Sequence, residues 1–408
     1  MIMAGTLAAL TLAGTAQVLV GGIAAARFAW KAAHVAKGTG PITVLKPLHG
    51  QEPLLEQALI TLCEQDYPHG FQIVCGVNET DDTAIPVVRA LQARYPNIEL
   101  VIDTTPRGSN PKVGNLINML PSARHDILVI ADSDVHARPD YLRRLADALD
   151  RPGVGLVTTL YSGLPAFRAT ACRLGATQIT HGFLPGALMG RLFGRRDCLG
   201  ATMCLRRDTL RRVGGLEALK DHLADDNVLG RLVLAEGLDV ALADTVVATT
   251  VPERTLTALW RHELRWARTI RTLEPAAFAA SVLQYPLVLA SLTVIASGAA
   301  LWAWILLLLV WAVRGLTVMA IDRALRPMLE ELAFRGPLWL LPLRDLISAA
   351  EWVASHAGRQ VDWRGQTLEA DSPARPTPHG HPPKIPPQEI PSQDGLSSGG
   401  LSKGSPAL

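Results

Sequence analysis

Ile127-Leu-Val-Ile-Ala-Asp-Ser-Asp-Val135 is the stretch whose reading decides the fold. An unbroken apolar run rich in β-branched residues is the pattern of a strand buried on both faces in a parallel sheet. The run ends in two carboxylates, Asp132 and Asp134, one residue apart. If the strand continues through Val135, a period of two points both side chains the same way, where they can hold one hard divalent cation. Ligands of open α/β sheets sit beyond the carboxyl ends of the strands, which is where this pair lies. Taken alone, Asp-x-Asp reads equally as two solvated acids at a strand end.

The flanking segments set that strand in a βαβ series. Upstream, residues 42–49 read as a strand ending in Lys46-Pro47, 52–64 as a helix, and 71–77 as a second strand followed by Asn78-Glu79-Thr80-Asp81-Asp82. A helix over 86–95 and a strand over 98–102 continue the alternation, which predicts a mostly parallel sheet. Asn110-Pro-Lys-Val-Gly-Asn-Leu116 opens the next helix. A helix N-terminus carrying Lys112 and Asn115 can hold a diphosphate or ribose, and it can equally be a solvated cap.

Downstream, 156–160 and 200–206 read as strands and 207–213 as a helix. The Gly- and Pro-rich segment 180–190 reads as a loop in which His181 can touch a ligand. Ala224-Asp-Asp-Asn227 precedes a helix through Ala235. Acids there are ordinary caps, but Asp226 can also serve as a general base. Arg261-His-Glu-Leu-Arg-Trp-Ala-Arg268 is a basic, aromatic helix. Its Arg and Trp suit both a membrane interface and the stabilisation of a leaving diphosphate.

Composition points to a membrane. The 408 residues are 49% hydrophobic, and a net charge of +2 implies no broad nucleic-acid surface. Five scattered cysteines without a C-x-x-C pair suit free thiols in a reducing compartment. Residues 1–26 carry no charged side chain and are long enough to cross a bilayer, so 1–30 is expected to be an N-terminal transmembrane anchor. Arg27, Lys31 and Lys37 place the segment after the anchor on the cytoplasmic side. The uncharged stretch 275–313 predicts a transmembrane hairpin over 275–322, divided near Ser297-Gly298. Residues 336–366 include Arg344, Asp345 and Glu351 and are expected to form an interfacial or re-entrant helix. The Pro-, Gly- and Ser-rich segment 371–408 is expected to be a disordered tail.

The order of these words resembles the family 2-type membrane glycosyltransferases of GT-A fold. Within them the match is to the ceramide glucosyltransferase branch, through Asn110-Pro-Lys-Val-Gly-Asn-Leu116, Ala224-Asp-Asp-Asn227, Arg265-Trp266 and Trp363-Arg364. Lys46-Pro-Leu-His-Gly50, Cys63-Glu-Gln-Asp-Tyr-Pro68 and Arg261-His-Glu-Leu-Arg-Trp-Ala-Arg-Thr269 are closer to the bacterial hopanoid-biosynthesis-associated glycosyltransferases. The resemblance implies a Rossmann-like, mostly parallel α/β domain over 40–272 on the cytoplasmic face of a bacterial inner membrane. It implies inverting transfer from a UDP-sugar, N-acetylglucosamine by this branch, to a lipid hydroxyl, a hopanoid first and ceramide as the alternative, with a non-catalytic membrane scaffold of the same fold as the reading from another class. Asp132 and Asp134 would hold Mg²⁺ or Mn²⁺ and Asp226 would be the base. Lys46, Lys112 and Asn115 would line the donor, and His262, Arg265 and Trp266 would close over it. Glu79 stands where the family has Asp, with Asp82 nearby, and His262 stands where it has Gln or Arg.

Overall fold

The computed structural model describes residues 1–31, 36–50, 52–358, 360–363 and 366–369. The expected tail lies outside these residues, as does Arg364. Eight strands share one sheet: β1 (Ile42–Pro47), β2 (Phe71–Val77), β3 (Ile98–Ile102), β4 (Ile127–Ala131), β5 (Val135–His136), β6 (Val154–Pro165), β7 (Thr202–Arg206) and β8 (Asp239–Val251). Their spatial order is β3-β2-β1-β4-β7-β6-β8-β5. The first four run parallel and β6 runs parallel to β8, while β7 and β5 are antiparallel to their neighbours. The mostly parallel α/β class expected from the βαβ rhythm is therefore present.

In chain order the α-helices are α1 (Ile2–Lys31), α2 (Leu55–Cys63), α3 (Ile85–Gln92), α4 (Pro111–Met119), α5 (Tyr141–Leu149), α6 (Thr170–Gln178), α7 (Leu184–Leu192), α8 (Arg207–Arg212), α9 (Asp225–Ala235), α10 (Leu256–Leu273), α11 (Pro275–Ala280), α12 (Pro286–Ala296), α13 (Leu301–Leu329) and α14 (Leu341–Ala354). Alternate strand residues feed two cores. Ile42, Val44 and Val129 pack with α2, α3 and α5 on one face. Leu45, Leu128 and Ile130 pack with α4, α8 and α9 on the other. Helices on both faces explain why β4 is apolar throughout and β1 is buried at every position, Thr43 and Lys46 included. All five cysteines are buried and unpaired.

Among the described residues, two helices are long and apolar enough to cross a membrane, α1 with 30 residues and the helix beginning at Leu301. Leu10, Leu12, Leu19 and Ile23 of α1 are exposed, as are Trp302, Ile305, Leu308 and Leu309 of α13, as lipid-facing surfaces require. Small residues let the helices close on one another. A Cβ at Gly22 would lie 2.6 Å from Thr317 Cγ2 of α13, and one at Gly14 would strike the Leu283 carbonyl. The inner ends of α1 and α13 dock on β6, β8 and α7 through Ala25, Phe28, Leu160, Val246, Leu184 and Ile321. The sheet is thus joined directly to the membrane-length helices.

The expected hairpin divides at 297–300, but its first arm is not one straight rod. Pro275–Gln284 and Pro286–Ala296 meet at a bend of 65°. Pro286 forces its predecessor, Tyr285, out of helical geometry, with φ −111° and ψ 57°. Helix α14 has 14 residues, about 21 Å at 1.5 Å per residue, and is too short to span a ~30 Å hydrocarbon layer.

The segment read as a Gly/Pro loop around His181 is helical. α6 passes through a π-helical turn, Ile179–Phe183, directly into α7. Pro185 has no N–H for the His181 carbonyl four residues back. That carbonyl accepts instead from Arg314 Nη1 at 3.1 Å, so a buried side chain of α13 satisfies the bond the proline removed. Arg314, the first charged residue after the uncharged stretch 275–313, is enclosed there and also faces Asp345 at 3.5 Å.

Candidate active site

β4 stops at Ala131, and Asp132-Ser133-Asp134 forms a turn in which Val135 N donates to the Asp132 carbonyl at 3.2 Å. The two carboxylates are therefore not same-face residues of one strand. The turn, rather than the period of two, gathers them beyond the end of the sheet. Lys46 holds that turn: fully buried, its Nζ donates to the carbonyl oxygens of Asp132 and Val135. Ser133 Oγ donates to Glu52 at 2.6 Å. Burial brings the Lys46 amine down to about 8 against the pull of Asp134, Cys75, Asp132 and Glu52. Two of its three donors thus go to backbone carbonyls of the turn. Replacing Lys46 with Met strands two buried carbonyls at about 1–3 kcal/mol each. We expect a lower thermal midpoint and a higher donor KM. A variant with both unchanged would contradict this role.

Asn110, Asn115 and Asp82 are also taken up by backbone. Asn110 caps α4, its Oδ1 accepting from the amides of Lys112 (3.0 Å) and Val113 (3.2 Å), so those amides are not free for a phosphate. Pro111 follows at the first helical position, where its missing N–H costs nothing. Asn115, 3% exposed, donates to the Gly76 carbonyl at 2.8 Å and joins the ends of β1 and β2. Asp82 accepts from the amides of Gly50 (3.0 Å) and Ala84 (2.7 Å). Glu79 is exposed on the loop after β2. Asn115 and Asp82 thus hold loops through hydrogen bonds to backbone groups.

Lys112, one residue into α4, reaches across to two other elements. Its Nζ lies 2.8 Å from Asp132 Oδ1 and 3.3 Å from Asp225 Oδ2 at the start of α9. Burial lowers its pKa, but Asp132 and Asp225 more than reverse this, and the amine is held firmly charged. Asp226 sits beside Asp225 and accepts from the Asn227 amide at 2.8 Å. A Cβ at Gly200 would come within 2.8 Å of Asp226 Oδ2, so any larger residue there would push this carboxylate aside. Burial, then the neighbouring Asp225, raises Asp226 to about 6. Burial, then Asp132 and Glu52, raises Asp134 to about 7.

This crowding of carboxylates tests the implied metal. Asp132 and Asp134 are hard oxygen donors that repel each other until a cation joins them. Among the described residues no third His, Cys, Asp or Glu completes a ligand set. Two carboxylates with the remaining positions left to phosphate oxygens and water is the usual protein share of a Mg²⁺ or Mn²⁺ site that binds a diphosphate. The residues fit such an ion.

Tyr161, near the end of β6, joins the group. Burial raises its phenol pKa, followed by the charges of Asp226, Asp132 and Asp134. Its ring stacks on Phe183 with centroids 4.5 Å apart. Trp266 of α10 packs on the Cys172, Ala176, Ile179 and Val251 cluster that Tyr161 also covers. His262 makes an edge contact with Trp266 at 4.4 Å, and its Nδ1 is paired with Glu253. Arg265 lies two residues after the buried Glu263 and is partly exposed.

His181 stands apart, 1% exposed, with Nε2 2.6 Å from Asp322 Oδ1. It lines a narrow cleft among the membrane-side helices together with Gln17, Gln284, Arg314 and Asp345. None of the carboxylates Asp132, Asp134 or Asp226 borders that cleft. His181 is thus tied to Asp322 and lines this membrane-side cleft, away from the three carboxylates.

Sequence reasoning passed over Glu52, Tyr161, Asp225 as a partner of Lys112, and Glu253. Only Asp225 carried a signal, its place beside Asp226. The others depend on loops and on a strand that runs on to Pro165.

An α/β sheet with a cluster of carboxylates beyond its carboxyl edge, fused to membrane-length helices, defines the class. The chain belongs to glycosyl transferase family 21, which it matches over residues 6–375. It is 26% identical over 234 residues to ceramide glucosyltransferase 1 of Caenorhabditis elegans, 56% of this chain and 49% of that protein. It is 35% identical over 116 residues to a ceramide glucosyltransferase of Komagataella phaffii, 27% of this chain and 23% of that one. The chain spans about half or less of the length of these curated relatives. A mannosyltransferase from Pyrobaculum calidifontis, solved in complex with GDP-Man and Mn²⁺, is similar at 21% identity and a TM-score of 0.47. That likeness covers 86% of this chain and 99% of the mannosyltransferase.

Proposed function

We propose that this protein transfers a sugar from a nucleotide-diphosphate donor to a lipid hydroxyl, with inversion at the anomeric carbon. The observation that carries the reading is the convergence of Asp132, Asp134 and Asp226 with Lys112 at the carboxyl edge of a sheet docked onto membrane-length helices. Asp132 and Asp134 would hold Mg²⁺ or Mn²⁺, which supplies positive charge to the donor diphosphate. Lys112 holds a second positive charge beside it. Asp226, raised toward neutrality, takes the proton of the acceptor hydroxyl as oxygen attacks in line. Trp266 and Arg265 of α10 cover the donor and the leaving diphosphate, as the family resemblance supports.

The substrates we assign are UDP-N-acetylglucosamine and a polyhydroxylated hopanoid, at the cytoplasmic face of a bacterial inner membrane. The 46–50, 63–68 and 261–269 wordings support that choice. The names of the curated relatives favour a second reading, glucose transfer to ceramide. The test is an assay of detergent-purified protein that pairs each donor with each acceptor and reads the lipid product by mass. A hexosamine-bearing hopanoid supports the first reading and glucosylceramide the second. No product with any pair, together with no UDP binding, rejects both.

Chelation gives an independent check. Removal of divalent ions with EDTA is expected to abolish transfer and weaken UDP binding, with Mn²⁺ or Mg²⁺ restoring both and Ca²⁺ or Zn²⁺ restoring less. Full turnover in EDTA would remove Asp132 and Asp134 from the metal role.

A further inference from the structure

Helix α14 is built with its charges inside. Arg344, Asp345, Ser348 and Glu351 are each at most 5% exposed, while Leu343, Leu346 and Val353 are at least 39% exposed on the other side. Arg344, 1% exposed, is the hub. Its guanidinium lies 2.8 Å from Glu263 of α10 and 3.2 Å from Glu351, and it donates to Ser348 Oγ at 3.0 Å. Ser348 Oγ donates in turn to Gln178 Oε1 at the end of α6, at 3.1 Å. The far end of α10 is tied to the same region: Arg268 donates to the Ala357 carbonyl at 3.1 Å and Arg271 to that of Gly358 at 2.9 Å. α10 is thus gripped at two heights from the α14 side.

Glu263 lies between His262 and Trp266 in sequence, and it is one of only two α10 residues fully buried, with Leu259. A buried carboxylate on an otherwise basic helix is costly unless its partner is fixed. α10 could have been packed by apolar residues alone, and this pair sets instead where along and around its axis the helix sits. A planar guanidinium can serve Glu263, Glu351 and Ser348 together, which a lysine cannot.

We infer that Arg344 is a positioning residue for the transfer reaction: from a helix lying against the membrane-side bundle it fixes α10 through Glu263, and so holds His262, Arg265 and Trp266 over the donor. This rests on the proposed glycosyl transfer. The carboxylate cleft remains the site of chemistry, and Arg344 touches neither donor nor acceptor.

The test compares Arg344→Lys and the double variant Arg344→Met/Glu263→Met with the full-length wild type in detergent. The double variant removes the pair together and avoids a stranded buried charge on α10. Both are expected to lose between tenfold and roughly 10²-fold in kcat/KM, the range a displacement of about 1 Å produces, with donor KM rising and acceptor KM unchanged. Glu351→Gln, which leaves the α10 partner in place, is expected to fall short of either. Hydrogen–deuterium exchange over 256–273 is expected to rise in both variants, and this readout needs no turnover. A lower thermal midpoint with wild-type donor KM and unchanged exchange in 256–273 would reduce Arg344 to a structural anchor and overturn the inference. Raised exchange in a protein that neither binds UDP nor transfers sugar would keep the positioning contact and overturn its tie to the reaction.

Discussion

Asp226→Asn is expected to lower kcat by roughly 10²–10⁴-fold while leaving UDP affinity near wild type, because it removes a base from the transition state and no contact from the diphosphate. Asparagine keeps the shape and can accept from the Asn227 amide as the carboxylate does at 2.8 Å. It also fits against Gly200, where a Cβ would already approach Asp226 Oδ2 to 2.8 Å. Loss of turnover therefore reads as loss of the proton acceptor and not of the fold. The pH dependence has a definite sign. Burial and Asp225 raise the group to about 6, so the basic form prevails above that pH and is lost below it. kcat/KM is expected to fall on the acid side as pH drops through about 6, with the limb missing in the residual activity of the variant. Calorimetry with UDP and turnover with the lipid acceptor measure the two halves of the claim. Retained turnover would take Asp226 out of the base role.

The half of the sheet that carries Asp132 and Asp134 was legible because its strands are short, apolar and punctuated. β2 and β3 begin and end where the apolar runs do. In the other half β7 and part of β6 were read, while β5, β8 and the order of the strands were not. β8 pairs with β6 in parallel and with β5 antiparallel, and β7 is inserted between β4 and β6. No local period encodes pairings between strands so far apart in the chain. The α6–α7 segment misled for a different reason. Gly182, Pro185, Gly186 and Gly190 read as breakers, yet the helix runs on through them, and at Gly175 just before them a Cβ would press on Val251 and Leu259 at under 3 Å. Tight packing, not chain reversal, requires glycine there. The entropic cost of a glycine in a helix, about 0.5–1 kcal/mol, is outweighed by that contact.

The candidate site divides along a similar line. Carboxylates at strand and helix ends announce themselves by residue type, and Asp132, Asp134 and Asp226 do converge. Lys46, Asn110, Asn115 and Asp82 have the right types too, yet each spends its hydrogen bonds on backbone groups of the loops that build the cleft. A buried backbone carbonyl or amide must find a partner, and at loop crossings the nearest polar side chain supplies it. Spacing in sequence cannot tell that use from ligand binding. His181 shows the same limit on the membrane side, where Asp322 and the carbonyl freed by Pro185 account for its surroundings.

Lys112→Met is the variant expected to disturb both stability and chemistry most. Among the described residues, its amine is the cation that bonds Asp132 and Asp225 together, at 2.8 and 3.3 Å. Breaking a buried pair from one side costs about 3–5 kcal/mol, because the abandoned charges stay in place. Lys112 is 17% exposed and Asp132 35%, so water relieves part of this and the lower end of that range is expected. The same change acts on the base. Lys112 is the charge that opposes burial and Asp225 in setting Asp226, and without it the carboxylate becomes harder to ionise. The acid limb of kcat/KM should therefore move to higher pH, and turnover near neutrality should fall further than the loss of donor affinity alone predicts. Thermal unfolding with and without Mn²⁺ separates the two effects, since a divalent ion at Asp132 would replace part of the missing charge and recover stability. A variant with a wild-type acid limb would mean that Lys112 serves only to tie α4 to α9, and that the field which tunes Asp226 comes from elsewhere in the cleft.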